Sequence, residues 1–285
     1  MTPPGTRADR LAEVALAAYD EPAADGWDPV RDALGRLADA AGRRPEGDLA
    51  GWAARIAVPG GDLPLLGAGV RAGAHPGLLW NGDRCRRMLV GREAALTLVG
   101  LVAGSDRGRD AAALVRAVRA GTAVADALDR WLPAAPVARP TTDAVAAAAC
   151  AGLLAGVPRD DLPEVLDISG GLMMLTPPTA GTGTAAVTGA WAGHALAAGW
   201  LAVAAWNAGL RGYDGALADT LALVTGAGIP PAPAAPRAPA HAPAVPVDTP
   251  AGVSAGRTPV EARIRALLGR APAEVPVRTL TEALG

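Results

Sequence analysis

Residues 141–175, TTDAVAAAACAGLLAGVPRDDLPEVLDISGGLMML, and residues 183–224, GTAAVTGAWAGHALAAGWLAVAAWNAGLRGYDGALADTLALV, decide the fold. Alanine dominates both stretches, glycine and proline punctuate them, and strand-like alternation is scarce. The spacing predicts two helical hairpins whose glycines fall where helices must touch closely. Pro140 and the threonines after it start a helix at about Asp143, and Gly156 is placed to end it as a left-handed cap. Asp161 with Pro163 opens the next helix, which ends near Gly170. From Gly189 to Leu210 the chain is apolar on nearly every face, and these 22 residues, at about 1.5 Å each, are long enough to cross a bilayer. His194 and Asn207 inside the segment, its many small residues and the lack of a second such span argue instead for a helix buried on all sides. Gly189 and Gly193, one turn apart, let a neighbouring backbone come close.

Working outward, residues 7–21 (RADRLAEVALAAYDE) and 27–42 (WDPVRDALGRLADAAG) repeat apolar side chains at helical intervals. Residues 59–77 (PGGDLPLLGAGVRAGAHPG) read as a loop. Residues 83–104 (DRCRRMLVGREAALTLVGLVAG) read as one helix with Asp83 at its start, and the turn SDRGRD at 105–110 leads to a helix over 110–132 that pairs antiparallel with it. Between Ile229 and Pro259, proline recurs at nearly every second or third position with almost no large apolar side chain, so this segment cannot pack as a core. After it, Thr258 caps a short helix with Pro259 at its first position and Val260, Ile264, Leu267 and Leu268 on one stripe, and RTLTEALG adds a final turn. The expected fold class is all-α, with a helical domain over 1–228, a Pro/Ala-rich linker over 229–258 and a short docking helix within 259–285 that clips onto the body or a partner.

With 285 residues, 51% of them hydrophobic, the chain can bury a sizeable core. Its 26 basic residues are all arginine and stand against 28 acids, a balance of −2 that leaves no electrostatic footprint for nucleic acid or an anionic membrane. The lack of lysine and phenylalanine fits a genome rich in G and C. Two cysteines, Cys85 and Cys150, and an N-terminus without a basic segment before an apolar one point to a cytoplasmic protein with no structural disulfide and no membrane anchor.

Few residues carry chemistry. His75 lies in a glycine-flanked loop and is stiffened by Pro76, a position suited to a general base and equally to an ordinary loop histidine. His194, mid-helix with Trp191, Ala198 and Leu201, reads as a core histidine satisfied by a carbonyl. His241 falls in the proline-rich segment. Three histidines so placed assemble no metal site, and no CxxC or HExxH spacing occurs. Cys85, between Arg84 and Arg86, sits where a helix start and cations would lower a thiol pKa, although a packed small residue is the plainer reading; Cys150 is helix packing. Arg71, Arg84, Arg86, Arg87 and Arg92 flank His75 and offer forked donors for a carboxylate, or else form a solvated face.

The order of features from His75 to Gly228, roughly half of the chain, resembles the helical domain of the MmgE/PrpD family, which includes 2-methylcitrate dehydratase, cis-aconitate decarboxylase and iminodisuccinate epimerase. His75-Pro76 holds the place of a family His-Pro pair, without the acids that precede it there. Arg139-Pro140 stands where a second His-Pro precedes an alanine-rich helix. The run GHALAAGWLAVAAWNAGLRG (193–212) matches the family's small-residue helix, with Thr188 near the position of a family lysine. The resemblance implies a helical bundle that lacks the family's second α+β lid domain. It further implies a divergent, cofactor-independent lyase or isomerase of specialised metabolism acting on a small carboxylate-bearing substrate. His75 would be its base, with Arg71, Arg87, Arg139, Thr188 and His194 at the substrate, and neither metal nor cofactor would be needed. The loss of acids, histidine and lysine also suits a non-catalytic helical subunit, a pseudoenzyme. Such a subunit would dimerise through its Gly-Ala helices with itself or with a PrpD-like protein.

Overall fold

The computed structural model describes residues 6–22, 27–28, 30–88, 90–132, 139–140, 142–176, 186–225 and 258–285. Among these are twelve helices: α1 (Arg7–Asp20), α2 (Val30–Gly42), α3 (Asp48–Ile56), α4 (Ala74–Arg87), α5 (Arg92–Ser105), α6 (Ala111–Trp131), α7 (Asp143–Ala155), α8 (Leu162–Gly171), α9 (Ala186–Asn207), α10 (Ala216–Thr225), α11 (Pro259–Leu268) and α12 (Val277–Leu284). The fold is mostly helical. Its strands are two antiparallel pairs of two residues each: β1 (Leu63–Pro64) with β2 (Arg71–Ala72), and β3 (Arg139–Pro140) with β4 (Leu175–Thr176).

Helix α7 is the axis of the molecule, packed against α5, α6, α8 and α9. Every residue from Ala144 to Ala151 is fully buried, which is possible because alanine fills little space and lets neighbouring helices close in. Gly199 of α9 shows how close: a Cβ there would lie 2.5 Å from the Ala147 Cβ and 2.6 Å from the Ala144 carbonyl oxygen. The other flank of α9 meets α4, where a Cβ on Gly193 would fall 2.1 Å from the Leu79 carbonyl oxygen. The 22-residue helix α9 thus packs on α4, α7 and α8 but leaves Leu201 and Asn207 exposed, so it is not buried on all sides as expected; among the described residues no helix is long and apolar enough to cross a membrane.

Several terminators follow the sequence closely. Gly156 ends α7 in the left-handed region at φ 82°, ψ 28°, and Pro163 lies in the first turn of α8. Thr258 and Glu261 form a reciprocal capping box ahead of α11, with Pro259 at its first position. Helix α11 lies on α2, and α12 packs on α5 and β1 with Val277, Leu280 and Leu284 buried, a complete helix rather than one turn. This C-terminal element clips onto the body. Residues 226–257, the greater part of the proline-rich segment, lie outside the described residues, as does His241.

One element departs from expectation. Asp83 does not start a helix but lies buried in the last turns of α4, which begins nine residues earlier at Ala74. The stretch taken as a loop contains the β1–β2 hairpin, whose Leu63, Leu65 and Leu66 are buried. Gly91, at φ 91°, then separates α4 from α5, so the residues read as one helix form the end of one and all of another. Helices α5 and α6 do pack together across the turn at 106–110.

Candidate functional site

The polar side chains of interest collect on α4 and the hairpin in front of it. The hairpin is clamped from α4 by Asn81, fully buried, whose Nδ2 donates to the Pro64 carbonyl at 2.9 Å while its Oδ1 accepts from the Leu66 amide at 2.9 Å. Asp62, at the hairpin's edge, accepts from the Ala74 amide at 3.2 Å and so satisfies one of the free donors at the start of α4. Fixing the hairpin in this way fixes Arg71. Its Nε donates to the Gly61 carbonyl at 2.6 Å and its Nη2 to the Asp62 carbonyl at 2.9 Å.

His75 is the second residue of α4 and is exposed. Among the described residues it has no hydrogen-bond partner, so no carboxylate or carbonyl orients its ring as a general base requires. One helical turn before its end, α4 carries a different arrangement. The Asp83 carboxylate is 1% exposed, accepts from Arg87 Nε at 2.7 Å, and keeps Oδ1 without a partner among the described residues. Burial pushes the Asp83 carboxyl above its ordinary value, and the neighbouring Arg87 only partly offsets this. Arg84, also buried, donates through Nη2 to the Ala40 carbonyl at 2.9 Å and to the Arg43 carbonyl, and its guanidinium lies 5.8 Å from the centre of the Trp80 ring. It is a brace between α4 and the end of α2, held there although burial lowers its pKa.

The remaining positions resolve in the same manner. The ring of His194 faces the Leu172 carbonyl, with Nε2 3.2 Å from the oxygen, as a satisfied core histidine does. Cys85 lies 3% exposed, and burial pushes its thiol up to about 12 despite Arg84; Cys150, wholly enclosed, is likewise at about 12. Neither is a thiolate at neutral pH. Arg92 bonds three carboxylates, Asp143 through Nε at 3.2 Å, Asp126 through Nη1 at 3.2 Å and Asp129 through Nη2 at 2.8 Å. Burial alone would lower its pKa, but Asp143, Asp129 and Asp126 outweigh it and hold the guanidinium above its ordinary value. Arg139 begins β3 and Thr188 lies in the first turn of α9, and their side chains are outside the described residues.

Arg71, Arg87 and His194 are each engaged by a group of the chain itself, in three separate settings. Reasoning from sequence passed over Asn81 and Asp62, which hold the hairpin, and Asp167, a buried carboxylate that accepts from the Gly215 amide at 3.2 Å and the Leu217 amide at 3.0 Å. Burial raises the Asp167 carboxyl and these two amides counter it. The dipeptide Asn81-Gly82 directly after the apolar run Leu78-Leu79-Trp80 was the available signal for the first. Among the described residues there is no group of three His, Cys, Asp or Glu side chains that could hold a metal ion. No protein-family model matches the chain, and no curated protein matches it.

Proposed function

We propose that this chain is a non-catalytic helical subunit of MmgE/PrpD type, a pseudoenzyme that supports a PrpD-like partner. The supporting observation is the engagement of the side chains a lyase would use. Arg71 is bound to two backbone carbonyls, Arg87 to Asp83 and His194 to Leu172, while His75 stands exposed with no orienting partner among the described residues. Proton abstraction beside a carboxylate needs a positioned base, an acid and free cations at one place. The Gly-Ala helices are occupied within the chain, so the partner would meet another face.

The test pairs an activity measurement with an association measurement. Incubated with 2-methylcitrate or cis-aconitate, the chain should give no turnover above buffer, and His75→Ala should leave the melting temperature within about 1 °C, as exposed substitutions do. Co-expressed with a complete PrpD-like protein, it should co-elute in size-exclusion chromatography. Turnover that His75→Ala abolishes without a change in melting temperature would instead establish the cofactor-independent lyase or isomerase.

A further inference from the structure

Helix α2 carries a glycine that its own chain does not require. On α4, α6 and α8 the inner glycines sit where a Cβ would press on another element: Gly77 at 3.1 Å from the Leu63 Cβ, Gly121 at 2.9 Å from the Ala146 carbonyl oxygen and Gly170 at 2.6 Å from the Leu217 Cα. Each gives up helix stability so that two elements can meet. Gly35, in the middle of α2, meets nothing within 4 Å. Gly51 of α3 is similarly open, with only Arg55 Nη2 of its own helix at 4.0 Å. Gly35 differs in its surroundings, because it lies in a groove of about 580 Å³ between α2 and α11, with Ala38, Ile264 and Leu268 as an apolar floor and Arg31 and Arg265 on the rim. We propose that this groove takes helix α10 of a second copy of the chain, with Leu223 on the groove floor and Asp219 beside the arginines.

Helix α10 offers the matching ridge. Leu223 is 85% exposed, the most of any large apolar side chain among the described residues, and Tyr213 is 63% exposed. The Tyr213 hydroxyl donates to Asp219 at 3.1 Å, and Leu223 follows Asp219 by one helical turn, so the three lie together on the outer side of α10. Arg211, the nearest cation in sequence, is held by Glu164 at 3.6 Å and lies over the Trp206 ring, which leaves Asp214 and Asp219 as the charge of the ridge. At the groove, Arg31 and Arg265 are exposed and have no partner among the described residues, whereas the acid of the lining, Glu261, is held by the Thr258 amide at 3.2 Å. Asp28 and Asp32 flank Arg31 in sequence, and Arg263 and Arg270 flank Arg265. The wider field is therefore nearly balanced: removal of apolar surface from water drives the contact, and the close pairs set its register. Helix α10 packs on α8 and α1 while α11 packs on α2 and α12, so a chain does not bring its own ridge to its own groove. Groove on one copy and ridge on another make a heterologous contact, which closes as a ring or propagates.

Light scattering on the full chain at about 100 µM, enough to populate a contact of micromolar strength, should record at least twice the mass of one chain. Gly35→Leu fills the groove from a position whose Cβ meets no atom of its own chain, so it should melt no lower than the parent while association weakens about tenfold or more. Leu223→Asp, on the exposed ridge, should weaken association to the same extent. Mixed in equal amounts, the two variants should recover one-to-one pairs, because one keeps a working ridge and the other a working groove. The mass of a single chain at this concentration, association unchanged in either variant, or no recovery on mixing overturns the proposal. A single-chain mass together with loss of co-elution with a PrpD-like protein in Gly35→Leu also overturns it and gives the groove to that partner. The scattering measurement uses this chain alone, so self-association and the subunit reading fail separately.

Discussion

The α7–α9 seam and the α4–hairpin corner are built from opposite materials. In the seam the side chains are alanine and glycine, and position follows from size alone: Gly199 and Gly193 stand where a Cβ would strike the backbone of α7 and of α4. At the corner the side chains are Arg71, Asn81, Asp83, Arg84 and Arg87; Asn81 and Arg84 are defined by groups on other elements, Arg71 by carbonyls of its own hairpin segment, and Asp83 and Arg87 by each other. A small residue has one task and announces it in the sequence. A polar residue has several and receives its task from a partner as many as 44 positions away, as Arg84 does from Ala40.

The sharpest way to break this contrast is to enlarge the seam. Gly199→Val places a methyl-bearing carbon 2.6 Å from the Ala144 carbonyl oxygen, and urea unfolding should record a loss of about 3 kcal/mol or more. Gly35→Ala in α2, where a Cβ meets nothing within 4 Å, should gain about 0.5–1 kcal/mol in the same assay. Equal midpoints for the two variants would remove backbone contact as the basis of the seam.

At the corner the effect is smaller and depends on pH. Because burial lifts the Asp83 carboxyl, the folded chain holds that proton more tightly than the unfolded one, for which the ordinary value is about 4. Its contribution is full below that value and is lost as pH rises through the raised one. The stability of the parent relative to Asp83→Asn should therefore decline as pH rises from about 4. A difference that grows with pH would mean that Arg87 dominates burial at this site.

The smallest effect is a silence. With both thiols at about 12, the folded chain should give almost no reaction with a disulfide reagent at neutral pH over minutes, and both cysteines should react once it is denatured. Rapid labelling of one thiol in the folded state would place Cys85 outside the core.

The same contrast explains what could be read in advance. The starts and ends of α7, α8 and α11 were legible because Gly156, Pro163 and the Thr258–Glu261 pair act within one helical turn. A long apolar helix was legible near α9, three residues out of register, but its burial on all sides was not borne out, because Leu201 and Asn207 face outward. The hairpin was not, because two residues per strand leave no alternation to detect, and its stability comes from Asn81 at a distance of 15 and 17 positions. Asp83 was misplaced for a related reason: an acid before an apolar run suggests a helix start, and only the packing of α4 against α9 makes it a buried residue near a helix end. The candidate site was the least legible part. Arginines near His75 in sequence take carbonyl and carboxylate partners of the chain that their sequence positions do not announce.

Arg92 gives the chain's peculiar composition a mechanical meaning. Three nitrogens of one planar group each hold a different aspartate, contributed by α6 twice and by α7 once, so a single side chain fastens the mouths of three helices in three directions. An ammonium also has three donors, but all on one nitrogen at the end of a flexible stem, so it cannot reach three carboxylates from three separate nitrogens of a fixed plane. A protein written without lysine loses nothing at such a joint, and reintroducing lysine there would unfasten it.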